Sequence, residues 1–310
     1  MSPVLKRPIL IVLGATGCVG RSVVAAALEA GHGVAAVARD PADLQDLRRK
    51  HAGADLVTIA ASVGTDREAA TLSDRIRDLE RPIGGVIVAI RGDVGTEVKA
   101  AGRLLDQPAD FLRRRLDEDL LPHLFAARHL LPLLAESRRG GYVLIGGPGA
   151  EQPWAGYGHR SIGNAALRML ARVLHDEART VGVRVQLLAV DSPARTDANL
   201  RHACEQWPSV HAIARHAVAM TGGVEPPDHA IVRHGARSAP SDLRSDDLDA
   251  RQASRPTACV SKAAIASDQT APEQTAPAHV APAAPRSSVD VRALLRAIAS
   301  SPRSQETPSP

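Results

Sequence analysis

Aromatic side chains are nearly missing from this sequence, which has two Trp, two Tyr and two Phe among 310 residues. A core must then rest on Ala, Val, Leu and Ile, and the exposed rings that a single-stranded nucleic acid stacks on are not supplied. Lysine is confined to Lys6, Lys50, Lys99 and Lys262, and the net charge of +4 comes from arginines scattered along helical stretches. That pattern reads as a solvated surface rather than a phosphate track, so no nucleic-acid partner is expected. Cys18, Cys204 and Cys259 lie far apart, with no CxxC pair and no histidine at ligand spacing. They make neither a disulfide framework nor a metal site, and they lead one to expect a reducing, cytoplasmic compartment. Long hydrophobic runs are also lacking. The apolar run before the first glycine-rich loop is only roughly six residues, too short for a signal peptide or a membrane span, so no membrane partner is expected.

What is present is alternation. Apolar or β-branched runs at Ile9–Leu13, Gly33–Ala38, Asp55–Ala61, Gly85–Ile90, Tyr142–Gly146 and Arg184–Val190 alternate with helical patterns at Arg21–Ala30, Pro41–Lys50, Asp66–Leu79, Asp110–Glu136 and Ile162–Thr180. The strands are apolar throughout, as in a parallel sheet covered on both faces. The fold class predicted is α/β, a Rossmann-like doubly wound parallel sheet occupying residues 1–221. Beyond that point lie half of the 22 prolines, among Ser, Thr, Ala and Gln. Residues 222–310 therefore read as a disordered tail that cannot bury enough apolar surface, with a short amphipathic helix over 289–300 as its one exception.

Between the first strand and first helix stands LIVLGATGCVGRSVV. Gly14 permits the tight turn, Gly17 lets backbone approach a pyrophosphate, and Gly20 lets helix and strand pack closely. Thr16, Cys18 and Val19 fill the loop and open the helix, whose N-terminal N–H groups favour phosphate. The context of strand, loop and helix makes a dinucleotide the expected ligand. At the tip of the second strand, Arg39 follows Ala38 where a reader of NAD would carry an acid, so NADP(H) is favoured over NAD(H). Asp40 would reverse that preference if it pointed inward.

On GATGCVG, DEDLLPHLFAARHLLPLL, GGYVLIGG, SIGNAALRMLARVLHDEARTVGVRVQLLAV and SPARTD, residues 8–220 resemble the short-chain dehydrogenase/reductase family. The resemblance implies a nicotinamide-dependent oxidoreductase acting on a small carbonyl, hydroxyl or enone compound. It also implies a working set of Tyr, a Lys four residues later, Ser, and an Asn on the preceding long helix. Here those positions hold Arg160, Asn164, Gly147 and Asp119. A tyrosine of pKa about 10 is a slow proton donor without a nearby cation, and no lysine remains in the second half of the domain to provide one. Tyr157, three residues early, is the substitute donor, with Arg160 as its cation. The alternative is a packed loop tyrosine against Trp154. Thr196 matches the residue that often touches the nicotinamide amide, while Asp191 and Ser192 replace a Pro and a Gly. Asp119 and His123, four apart, read either as an acid/base pair or as a surface hydrogen bond.

Two readings follow. One is an NADP(H)-dependent oxidoreductase with a rearranged site; the other is a non-catalytic dinucleotide-binding relative serving as redox sensor or partner subunit. The resemblance further implies a homodimer, for which Ala165, Ala166, Leu167, Leu170 and Leu174 would offer an apolar helix face.

Overall fold

The computed structural model describes residues 7–91, 102–137, 140–222 and 229–235. Seven strands, β1 (Ile9–Leu13), β2 (Gly33–Ala38), β3 (Leu56–Ala60), β4 (Ile83–Val88), β5 (Gly141–Ile145), β6 (Arg184–Ala189) and β7 (Ile231–Arg233), form one sheet. Their order is β3-β2-β1-β4-β5-β6-β7, and every pairing is parallel. Seven helices accompany them among the described residues: α1 (Cys18–Glu29), α2 (Pro41–Lys50), α3 (Asp66–Arg77), α4 (Phe111–Asp119), α5 (Leu121–Ser137), α6 (Gly158–Arg179) and α7 (Val210–Thr221). This is the doubly wound α/β sheet that the alternation predicts.

Strand periodicity divides the core into two layers. Ile9, Ile11 and Leu13 of β1 point into one layer with Leu72 of α3, Leu130 of α5 and Leu167 of α6. Leu10 and Val12 point into the other, with Val23 of α1, Leu47 of α2 and Ile213 of α7. Because both faces are covered, β1 and β2 bury every residue, and each buried Leu or Ile contributes about 2 kcal/mol. The strand order reverses between β1 and β4. A cleft therefore opens beyond their carboxyl ends, where the helices leading from neighbouring strands diverge to opposite faces.

The sequence reading departs from the structure in four places. The long helix expected over Asp110–Glu136 is two, with Leu120 at the break (φ −109°, ψ −51°). Pro122 has no N–H to give to Glu118, and His123 N–H instead closes a tight bond to the Leu120 carbonyl at 3.0 Å. Helix α6 begins at Gly158, four residues earlier than its apolar pattern, which places Arg160 in its first turn. The folded domain continues past 221, because Ile231–Arg233 pairs with β6 as β7. Three residues close behind two prolines give no usable strand signal. Finally, of the predicted apolar face Leu167 and Leu174 are buried in the core beneath α6 while Ala165 is exposed, and the large apolar residues exposed on that helix are Ile162, Met169 and Val173. The segment 289–300 and the tail beyond 235 lie outside the described residues.

Candidate dinucleotide and substrate cleft

The three glycines of the first loop serve different ends. Gly14 has φ +75°, and a Cβ there would lie 2.6 Å from the Ala89 carbonyl oxygen. A Cβ on Gly20 would lie 2.0 Å from the Gly14 oxygen, so the loop can close on α1 only if residue 20 has no side chain. Gly17 is different, since its Cβ would meet only the Gly14 oxygen, at an ordinary 3.5 Å. Its bareness answers to the cleft it lines rather than to the protein interior. Gly17 caps α1 with no side-chain cap, and the first turn carries no acid, so the helix N-terminus keeps its positive end for a ligand. Arg21 steadies the loop by donating from Nε to the Thr16 carbonyl at 2.7 Å, while its Nη2 pairs with Asp43 at 2.9 Å. This cradle fits a pyrophosphate.

Gly17, Cys18 and Val19 open one end of a cleft of about 430 Å³. Along it stand Arg91 after β4, Arg115 and Asp119 of α4, His123 of α5, Gly147 after β5, Arg160 and Asn164 of α6, and Ser192 and Thr196 after β6. Thr196 is held by its N–H, which donates to Asn199 Oδ1 at 2.8 Å. Arg39 is exposed at the tip of β2. Next to it, the Asp40 carboxylate is engaged as the cap of α2, accepting from Ala42 N at 2.8 Å, which turns it to the helix rather than inward.

At the positions where the resemblance expects the catalytic set the packing is self-consistent. A Cβ on Gly147 would lie 3.0 Å from Asn164 Nδ2, so the Asn164 amide takes up the room that a serine side chain at 147 would need. That amide donates to the Pro148 carbonyl at 2.8 Å, which pins the loop after β5. Trp154 N–H donates to Ser161 Oγ at 2.9 Å and curls the same loop over the start of α6. As a result the Tyr157 ring stacks on Trp154, with centroids 4.5 Å apart, and Tyr157 is not among the residues lining the cleft. The Arg160 guanidinium lies over the Tyr157 ring, 5.6 Å from its centroid.

Asp119 and His123 both line the cleft but sit on different helices. Burial alone pushes His123 down to about 4, and its Nδ1 meets no partner among the described residues. His159 is also buried, edge-on to Phe111 with centroids 5.3 Å apart, and burial followed by the Arg160 charge lowers its pKa. Arg91, which sequence reasoning did not single out, has its pKa lowered by burial first and then by repulsion from Arg160. A signal was available: an arginine directly after an apolar parallel strand sits at the ligand end of the sheet.

Both loops over the cleft are anchored outside it by four charges. The buried Arg168 donates to Asp191 Oδ1 at 2.9 Å and pairs with Glu151, while Arg233 of β7 bonds Asp191 Oδ2 at 2.9 Å and pairs with Glu151 too. The hydrogen bond from Arg233 holds the Glu151 carboxyl below its usual range. Removing one partner of a fully buried pair costs 3–5 kcal/mol, but these carboxylates are 47 % and 40 % exposed and would keep Arg233. Arg168→Leu is therefore expected to destabilise the domain by about 2 kcal/mol in urea unfolding. An unchanged midpoint would show that the four charges contribute nothing net.

Among the described residues no group of three or more His, Cys, Asp or Glu side chains could hold a metal, and no helix is long and apolar enough to cross a membrane. Solved structures share this fold at low identity. A putative gluconate dehydrogenase from Agrobacterium tumefaciens is 16 % identical, with a TM-score of 0.63 over 74 % of this chain and 94 % of its own. A 3-oxoacyl-[acyl-carrier protein] reductase with bound NAD from Brucella melitensis is 20 % identical, with a TM-score of 0.62 over 74 % of this chain and 91 % of its own. ElxO with NADP bound is 11 % identical, with a TM-score of 0.62 over 74 % of this chain and 97 % of its own. No curated protein sequence matches the chain. The model of one family, described as short chain dehydrogenase, matches residues 8–208, the span that carries the glycine cradle, six of the seven strands and all of the cleft lining except Val210 and Ile213. By that match this chain belongs to the short-chain dehydrogenase family.

Proposed function

We propose that this protein binds NADP(H) along the Gly14–Gly20 loop and is an oxidoreductase that acts on a small carbonyl, hydroxyl or enone compound without a tyrosine proton relay. The observation that carries the reading is the cradle itself: Gly20 is kept bare by the Gly14 carbonyl, Gly17 by nothing but the cleft. Arg39 at the tip of β2, with the Asp40 carboxylate turned to α2, supports NADP(H) over NAD(H), since a guanidinium matches a 2′-phosphate. The scattered cysteines support a cytoplasmic setting. The exposed Ile162, Met169 and Val173 of α6 support a homodimer, which sedimentation would detect.

Bound NADP(H) supplies or receives a hydride. What the chain adds is a positive environment where negative charge gathers on the substrate oxygen: Arg160 at the start of α6, with the helix N-terminus behind it. A guanidinium does not give up its proton at neutral pH, so the proton comes from water admitted to the cleft. Asn164 is turned to Pro148 and works as a loop anchor.

A second reading has its own support. With the Tyr157 ring against Trp154 and the Asn164 amide on the Pro148 carbonyl, the substitute donor and the residue at the lysine position are both spent on packing, which favours a non-catalytic dinucleotide sensor or partner subunit. Titration with NADPH by fluorescence, followed by nucleotide consumption with carbonyl and enone substrates, separates the two. Binding with turnover is expected. Binding without turnover moves the conclusion to the second reading, and absence of binding overturns both.

A further inference from the structure

The cleft is lined by Arg91, Arg115 and Arg160 but, among the described residues, by a single carboxylate, Asp119. Arg115 has Glu118 as a partner at 2.8 Å. Arg91 and Arg160 form no ion pair among the described residues; Arg91 feels the Arg160 charge, which the more weakly acting Asp119 offsets only in part. Two guanidiniums sharing a partly desolvated cleft repel each other, and an anion between them relieves the cost.

The cofactor's phosphates do not account for Arg160. Its pyrophosphate has the N-terminus of α1, and a 2′-phosphate has Arg39. Arg160 instead belongs to α6, at the position that in the family resemblance meets the reacting group. It is also held ready. The Trp154 ring packs against Tyr157 with centroids 4.5 Å apart, and the guanidinium carbon of Arg160 stacks over the Tyr157 ring, 5.6 Å from its centroid. Such a stack limits the rotamers of a long side chain and so lowers the entropic cost of binding with it.

We propose that the substrate end of the cleft is a carboxylate site, with Arg160 and Arg91 clamping the carboxylate of a small acid that also carries the reacting carbonyl or enone. Tyr157 is then a positioning residue whose ring, not its hydroxyl, matters. This rests on the oxidoreductase reading above for the identity of the reacting group, but the anion site can be measured by itself.

The test is calorimetry on the full chain with acetoacetate, 2-oxobutyrate and their neutral methyl esters, with and without saturating NADPH. Each acid is expected to bind at least tenfold more tightly than its ester. Arg160→Gln should erase that preference while keeping NADPH affinity within threefold, and Arg91→Gln should weaken it. Tyr157→Phe should leave acid binding within twofold, and Tyr157→Ala should reduce it at least fivefold. Esters that bind as well as the acids, or no binding of either, overturn the proposal. So does an Arg160→Gln protein that loses NADPH affinity tenfold yet keeps its preference for acids, since Arg160 would then serve a nucleotide phosphate. Acid preference in a wild-type protein that fails to bind NADPH would instead refute the proposed function and leave the carboxylate site standing.

Discussion

Gly20→Ala is expected to abolish NADPH binding, raising its Kd at least a hundredfold, and to lower stability by about 3 kcal/mol. The added methyl would sit 2.0 Å from the Gly14 carbonyl oxygen, which is backbone and not the yielding end of a side chain. Either α1 moves outward from β1 or the loop opens, and both carry its N-terminus away from the phosphates. The companion variant Gly17→Ala isolates the ligand's share. Its methyl meets nothing closer than 3.5 Å, so the fold should keep its melting temperature, while NADPH affinity falls at least tenfold because the methyl projects into the cleft. Calorimetric titration and thermal unfolding of the two proteins give four numbers. Undiminished binding by both variants would remove the loop from the nucleotide site.

Much of this fold was legible because its signals are local. Ile9–Leu13 and Gly33–Ala38 stand in the structure at the bounds that their apolar runs predict, and Pro41–Lys50 begins at a proline behind a capping aspartate. Signals failed where a tertiary partner decides. β7 exists because β6 offers it an edge, and nothing within Ile231–Arg233 announces that. The break at Leu120 was written in the sequence as Pro122, yet Pro132 lies inside α5 without ending it, so proline alone did not decide the matter.

At the site, the spacing of Gly14, Gly17 and Gly20 gave the cradle, and alignment of GNAA placed Arg160 and Asn164 in the cleft. Their directions could not be read. Whether Tyr157 faces the cleft depends on how Ser161 and Trp154 curl the loop, a contact seven residues apart in the chain whose geometry no spacing rule supplies. Arg91 was missed, and His123 was read only by its spacing from Asp119, because environment decides both. The first is brought to the cleft by where β4 ends, and the second is set apart by the packing that leaves it 2 % exposed.

That burial of His123 makes the fold sensitive to acid. In the unfolded chain a histidine titrates near 6.5, while in the fold burial holds this one at about 4. Between those values the unfolded chain binds a proton that the folded chain refuses, so the contribution of this histidine falls as pH drops from 6.5 and levels off near 4. Each pH unit is worth about 1.4 kcal/mol, giving a loss of about 3 kcal/mol across the window. His159, His216 and His234 are shifted in the same direction by burial and add to the slope. Leucine at 123 fills similar space with nothing to protonate. His123→Leu should therefore match or exceed wild-type stability at pH 7 and surpass it by about 3 kcal/mol more at pH 4, measured as urea midpoints along a pH series. The same variant tells whether the imidazole also acts in the cleft. A structural histidine leaves NADPH affinity and turnover at pH 7 unchanged, whereas a group whose Nδ1 accepts from substrate loses turnover there. An acid limb as steep in the variant as in the wild type would show that the protons enter elsewhere.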